Sequence, residues 1–227
     1  LYICTIESMY EHIKFKNAIN MRKANYDKFP STKLTGMLVQ GWDSIISMLK
    51  EKMDARKVLA VDLYTGVYEE EVLDAFSKEF SGRVMNVRDL MKPEKEIQTL
   101  TERFMTEDVL FGYVTNLKLE DYLDADKVAA ARKQISEAKE TIVIIGTGAA
   151  VVAPQDAMVV YVDMARWEIQ QRFRRHEVKA LGIDNRNDAV SLQYKRGYFN
   201  DWRVCDRYKE RSVSYTHLRA HETEADL

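Results

Sequence analysis

Three short apolar runs, each set against a helical pattern, constrain this chain more than any other feature. They are "KVLAVDLY" at 57–64, "TIVIIGTGAAVV" at 141–152 and "AMVVYVDM" at 157–164. Runs of this length, rich in β-branched residues and apolar at successive positions, suit strands buried on both faces. Helical spacing fills the intervals. "GWDSIISMLKEKM" places Trp42, Ile45, Ile46, Leu49 and Met53 on one face. "TGVYEEEVLDAFSKEFSG" opens with three glutamates, where the helix dipole favours them, and carries a Val72, Phe76, Phe80 stripe before a stop at Gly82. "RVMNV" is a further strand. "KPEKEIQTLTERF", with Pro93 in its first turn, and "DADKVAAARKQISEA" are helices. "ARWEIQQRFRRHEVKALG" is a helix with Ala165, Ile169 and Phe173 on its apolar face and Gly182 at its end. The order predicts an α/β fold, a mostly parallel sheet flanked by helices, in one domain.

Bulk properties narrow the function. Hydrophobic residues make up 46% and charged residues 31% of the 227, with a net charge of −2, which offers neither nucleic acid nor a membrane surface a complementary field. No apolar run approaches a membrane span, and the first twenty residues lack a signal-peptide core. Cys4 and Cys205, far apart, read as free thiols in a reducing, cytoplasmic compartment.

The two ends read differently from the middle. In "SYTHLRAHETEADL", His217 and His221 stand four apart, the spacing of a helical zinc pair. Yet Val213–Thr223 reads "VSYTHLRAHET", identical to one translated frame of a common transposase-type sequencing adaptor. Residues 213–227 are therefore expected to be adaptor-derived, with the natural sequence continuing differently after about Ser212, and the metal site is rejected. "MRKANYDKFPS" from Met21 looks like a natural start. Residues 1–20 then read either as upstream sequence translated in frame or as the middle of a gene. Residues 21–212 are the interpretable domain, entered through an extended lead-in around Pro30 and Gly36.

Ligands of such sheets sit at the carboxyl ends of the strands, and two strand ends are suggestive. The loop after "KVLAVDLY" lies where a phosphate-binding loop would be. A working one needs G-x-x-x-x-G-K-[ST], so that backbone amides wrap the phosphates and the lysine reaches them. Here Gly66 is the loop's single glycine, no lysine follows, and Glu69–Glu71 repel an anion by on the order of 1 kcal/mol each. The second strand end offers the amides of Gly146, Thr147 and Gly148; a tight turn is the alternative. Glu168, Arg172, Arg175 and Lys179 form a polar stripe on the following helix, and Arg172 and Arg175 are the candidate phosphate ligands, with a solvated face as the alternative. "YKRGYFNDWRVCDRYKER" at 194–211 interleaves aromatic, basic and acidic residues and reads as a packed, salt-bridged junction to a next domain, with nucleic-acid contact as the alternative. His176 and Cys205 lack the partners a ligand or nucleophile needs.

Two resemblances follow from these pieces. The segments 58–80 and 142–175 resemble the uridine kinase and phosphoribulokinase type of P-loop fold. Val162–Asp163 and Arg172–Arg175 match its pattern, but Ile145 stands where that family has an acid. This implies a kinase-like fold without kinase chemistry. More specifically, "MRKANYDKFPSTK", "DMARWEIQQRFRRH", "LGIDN" and "YKRGYFNDWRVCDRYK" resemble the N-terminal region of the long, Bacteroidetes-type class I mannose-6-phosphate isomerases. That resemblance implies zinc-dependent isomerisation of mannose 6-phosphate and fructose 6-phosphate in a C-terminal cupin domain absent from this sequence. It leaves no catalytic residue and no metal or other cofactor in 21–212. The expected partners are that cupin domain and a sugar phosphate or nucleotide. Two further readings stand beside it: a phosphotransferase with an unconventional phosphate loop, and a purely structural scaffold.

Overall fold

The computed structural model describes residues 2–4, 38–53, 55–212 and 218–222. The expectations for the lead-in and for a start at Met21 fall outside these residues. Seven strands lie among them: β1 (Tyr2–Cys4), β2 (Leu38–Gln40), β3 (Val58–Leu63), β4 (Arg83–Asn86), β5 (Ile142–Gly146), β6 (Met158–Met164) and β7 (Leu218–Glu222). They form one sheet in the order β2-β1-β7-β6-β3-β5-β4. From β7 to β4 every pairing is parallel, and β1 runs antiparallel to both β2 and β7. The chain passes from β3 to β4, returns to lay β5 between them, then crosses β3 to reach β6. His221 lies in β7, opposite Asp163, in a strand and not a helix; His217 is outside the described residues.

The fold is α/β, a mostly parallel sheet flanked by helices. The helices are α1 (Trp42–Met53), α2 (Glu69–Glu79), α3 (Glu94–Met105), α4 (Ala125–Glu137), the single turn α5 (Ala149–Val152), α6 (Arg166–Arg174), α7 (Val190–Arg196) and α8 (Trp202–Ser212). β3 and β5 are buried along their whole length, as continuous apolar runs require. The aromatic stripes do the joining. Trp42 of α1 meets Phe76 of α2 edge-on at 6.1 Å, Phe76 stacks on Phe80 at 5.5 Å, and Phe173 of α6 meets Trp202 of α8 at 6.4 Å. Each large side chain so buried contributes about 1.5–3 kcal/mol.

Three boundaries differ from the sequence pattern, each for a tertiary reason. Pro93 caps α3 from just outside the helix. Helix α6 stops at Arg174, eight residues before Gly182. His176 adopts a left-handed φ of 58° and its Nδ1–H donates to the Arg186 carbonyl at 2.6 Å, folding 175–189 into a loop across the strand ends. Gly82 does not end α2, which gives way at Phe80. Its role is close approach: a Cβ there would lie 2.2 Å from the Thr141 carbonyl oxygen, beside the bond that Arg83 N–H donates to that oxygen. No helix among the described residues is long and apolar enough to cross a membrane. Gly82→Ala is expected to lower stability by about 1–3 kcal/mol through that backbone clash, read by denaturant unfolding.

Candidate functional site

A crevice of about 130 Å³ opens at the carboxyl ends of the central strands. Its walls are the β3–α2 loop and the first residues of α2, Tyr64 to Glu70, Asn86 at the end of β4 with Arg88 after it, Thr147 after β5, and Glu177–Leu181 with Arg186 from the loop that follows α6. Open parallel sheets bind ligands in this position.

One carboxylate organises the strand ends. Asp62, the penultimate residue of β3, is fully buried. Its Oδ1 accepts the Gly148 N–H and its Oδ2 the Ala150 N–H, both at 3.0 Å, and the Tyr208 hydroxyl of α8 donates to Oδ2. Burial pushes the Asp62 carboxyl up to about 6, and the Tyr208, Ala150 and Gly148 bonds hold it from rising further. The turn that offers amides to an anion therefore holds an internal one. Gly148 can serve because its φ of 95° suits glycine, and a Cβ at Gly146 would lie 2.8 Å from that of Val87. Of the three candidates in this turn, Thr147 alone lines the crevice.

The candidate arginines stand on another wall of the structure. Arg172 is buried rather than on a solvated face. Its Nε donates to Glu168 at 3.0 Å, its Nη1 to the Gly66 carbonyl at 3.1 Å, and its guanidinium lies 3.6 Å from the centre of the Tyr68 ring. Arg172 thus clamps the β3–α2 loop from beneath. Arg175 donates to Glu168 at 3.0 Å and Glu177 at 2.9 Å. The structure engages Gly148 with Asp62 and the two arginines with Glu168, Glu177 and the loop, so these candidates belong to two separate sets of contacts.

Different cations face the crevice. Arg88 pairs with Glu69 at 3.0 Å, Lys179 with Glu70 at 2.6 Å, and Arg186 with Asp184 at 2.6 Å. Lys179 reaches the crevice because α6 ends early, which takes it off the helix stripe. The energies separate the two groups. The Arg172 side chain is 2% exposed and Glu168 13%, and breaking a buried pair costs about 3–5 kcal/mol. Glu70 is 76% exposed, and such surface pairs are worth about 0.2–1 kcal/mol. The partners of Lys179 and Arg186 are thus weakly held, whereas Arg172 holds the Gly66 carbonyl of the loop from a buried position. The Arg186 partnership pulls the Asp184 carboxyl down to about 2, so it stays ionised at neutral pH.

Asp62, Arg88 and Arg186 are residues that sequence reasoning missed. A lone carboxylate inside "VLAVDL" was a readable signal for Asp62, since an unpartnered charge there is too costly to keep. Arg88 sits in a short 3-10 turn, Val87–Leu90, and Arg186 in a loop, and only the fold decides their placement. Parts of the 194–211 stretch are buried and ion-paired, while Tyr194 and Tyr198 stay exposed. Arg196 lies 3.3 Å from Asp201, both buried, and Asp206 pairs with Arg166 at 2.9 Å, while Lys209 bonds Asp163 at 2.5 Å. Cys205 is buried and free. Among the described residues, no group of three or more His, Cys, Asp or Glu side chains is placed to hold a metal ion.

Two outcomes are expected. The folded Asp62 binds its proton more tightly than the unfolded one, so its protonation adds stability that is complete below about 3.8 and lost as pH rises through about 6. Between pH 7 and 5 the wild type should gain about 1–2 kcal/mol over Asp62→Asn, measured by urea unfolding at each pH. At pH 7, Arg172→Ala should cost about 3 kcal/mol or more and Lys179→Ala less than about 1 kcal/mol, in the same assay.

A search of curated proteins finds no match. Among solved structures, a gluconokinase from Sinorhizobium meliloti 1021 is similar at 12% identity and a TM-score of 0.40, over 75% of this chain and 83% of that one. Residues 41–226 match the model of a family described as a domain of unknown function, DUF8485, and the chain belongs to that family.

Proposed function

We propose that the crevice binds the anionic head of a small phosphorylated metabolite, a sugar phosphate first, and that this chain binds phosphate without transferring it. The observation that carries the reading is the convergence of Arg88, Lys179 and Arg186 on the carboxyl-end crevice. Two of these cations are held by counter-ions that a ligand can replace at little cost. A volume of about 130 Å³ is below the roughly 300–1,000 Å³ of sites that enclose whole drug-sized ligands, so it suits a phosphoryl head and not a buried nucleotide. Thr147 and Asn86 on the walls add neutral polar groups beside the charges.

A phosphotransferase is the alternative, and its machinery is thin here. The β3–α2 loop, Thr65-Gly66-Val67-Tyr68, has no lysine. Two amides after β5, those of Gly148 and Ala150, are engaged by Asp62. The isomerase resemblance places its chemistry beyond Ser212 and asks of this segment only binding or support, so it is compatible with the proposal.

Calorimetric titration with inorganic phosphate, mannose 6-phosphate and magnesium-ATP tests it. Mannose 6-phosphate is expected to bind, and Lys179→Ala with Arg186→Ala to weaken it about 10-fold or more, with no ATP consumed. An affinity unchanged in the double variant would sink the crevice assignment. Magnesium-dependent consumption of ATP would favour the phosphotransferase.

A further inference from the structure

We propose that the loop between α3 and residue 115, together with the outer face of α7, is a self-association surface that seats a second copy of this chain. Val109, Leu110, Phe111, Tyr113 and Val114 follow one another with little interruption, and Val109 is 71% and Phe111 and Tyr113 each 68% exposed. Exposure of this kind in one segment departs from the scattered single apolar residues of ordinary surfaces.

The segment is held in place rather than loose. Asp108 Oδ1 accepts the N–H groups of Leu110 and Phe111, each at 2.7 Å. Thr106 takes up a left-handed φ of 51° and its hydroxyl donates to the Phe111 carbonyl at 2.6 Å. Tyr113 N–H donates to the Phe104 carbonyl at 2.8 Å, and the Lys195 ammonium of α7 donates to the carbonyls of Thr106 and Asp108. Gly112 lets the loop lie against Phe199, whose ring carbons are 3.1 Å from where a Cβ would be. A surface ordered before contact loses little conformational entropy on association.

The patch continues beyond the loop. Phe199 meets Tyr198 at 5.0 Å, and Tyr198 stacks on Tyr194 at 6.2 Å, each of these tyrosines about two-fifths exposed. Large side chains carry roughly 150–250 Å² each, so this face exposes on the order of 800 Å² of mostly apolar and aromatic surface. That is the area each partner contributes to a standard interface, about 800 Å². Its composition, aromatic at the centre, is that of an interface core.

The charges around it favour a second copy over a lipid surface. Glu102, Glu107 and Asp108 border the loop with Arg103, and Arg203 lies over the Tyr198 ring at 4.6 Å. A two-fold partner can set carboxylates of one copy against guanidiniums of the other, since the same patch faces itself. Three carboxylates beside the apolar tip would oppose an anionic membrane.

Sedimentation equilibrium of the full chain over a range up to ~100 µM, chosen to span a micromolar dissociation constant, is the test. The wild type is expected to reach a dimer, and Phe111→Glu with Tyr113→Glu to raise the dissociation constant about 100-fold or more. Far-UV circular dichroism checks that the variant is folded. If it is not, Leu110→Ser, which removes one exposed side chain and leaves the Asp108 turn, is measured instead. Lys179→Ala should leave the dimer unchanged, which separates this surface from the crevice. A monomer throughout, a dimer that keeps its affinity in the loop variants, or a monomer that binds vesicles of anionic phospholipid would each overturn the proposal.

Discussion

The fold turns on the burial of a single carboxylate. Asp62 stands inside a strand that is otherwise apolar, where an isolated charge would cost far more than the protein's whole stability margin. Its acceptable alternatives are protonation or hydrogen bonds. The chain supplies three donors, two from the turn after β5 and one from Tyr208. Those bonds tie together β3, the turn that opens α5, and α8, elements separated by 86 to 146 residues in sequence. Residual strain remains, because burial still lifts the carboxyl to about 6. The same bonds engage the Gly148 amide, one of the candidate donors after β5, with a side chain of the protein itself.

Ion pairs divide this region into parts that hold shape and parts that can change partners. Geometry alone does not separate them, since Arg172–Glu168 and Arg88–Glu69 are both 3.0 Å pairs. Solvent does. Where water has been removed, losing one partner strands the other in a poor medium; at the rim, water and salt replace it readily. Arg172 accordingly belongs with the loop's architecture, beneath Gly66 and Tyr68. Lys179 and Arg186 belong with the surface that meets solutes.

Much of the architecture was legible in the residues, because burial on both faces leaves a continuous apolar run that little else explains. The strands at 58–63, 142–146 and 158–164, and helices such as 42–53 and 125–137, follow from that signal and from helical spacing. The site was much less legible. Arg172 and Arg175 were visible as an arginine-rich helix, but which of them water reaches depends on how α6 lies on the β3–α2 loop. Lys179 was visible but assigned to a helix that ends five residues earlier, at Arg174. Nothing in "RRHEVKAL" breaks a helix by propensity; the left-handed turn at His176 comes with its bond to the Arg186 carbonyl. Arg88 comes to the crevice from a single 3-10 turn and Arg186 from a loop, both too short for periodicity to mark orientation.

The internal anion also bears on how strongly the crevice can hold an external one. A parallel sheet gathers N–H donors and helix starts at its carboxyl end, and in many folds a bound phosphate supplies the missing negative charge. Here Asp62 supplies it at the β5 turn, and Glu69, Glu70 and Glu71 supply it at the start of α2. The strand ends thus already carry negative charge of the protein's own. A phosphorylated ligand then gains only the difference between its own contacts and those of the displaced rim carboxylates, a margin of a few surface pairs of roughly 0.2–1 kcal/mol each plus any bidentate advantage of Arg186. For the binding proposed above, such a margin implies weak, reversible association. On the binding reading proposed, affinity should therefore depend on salt far more than on the shape of the sugar.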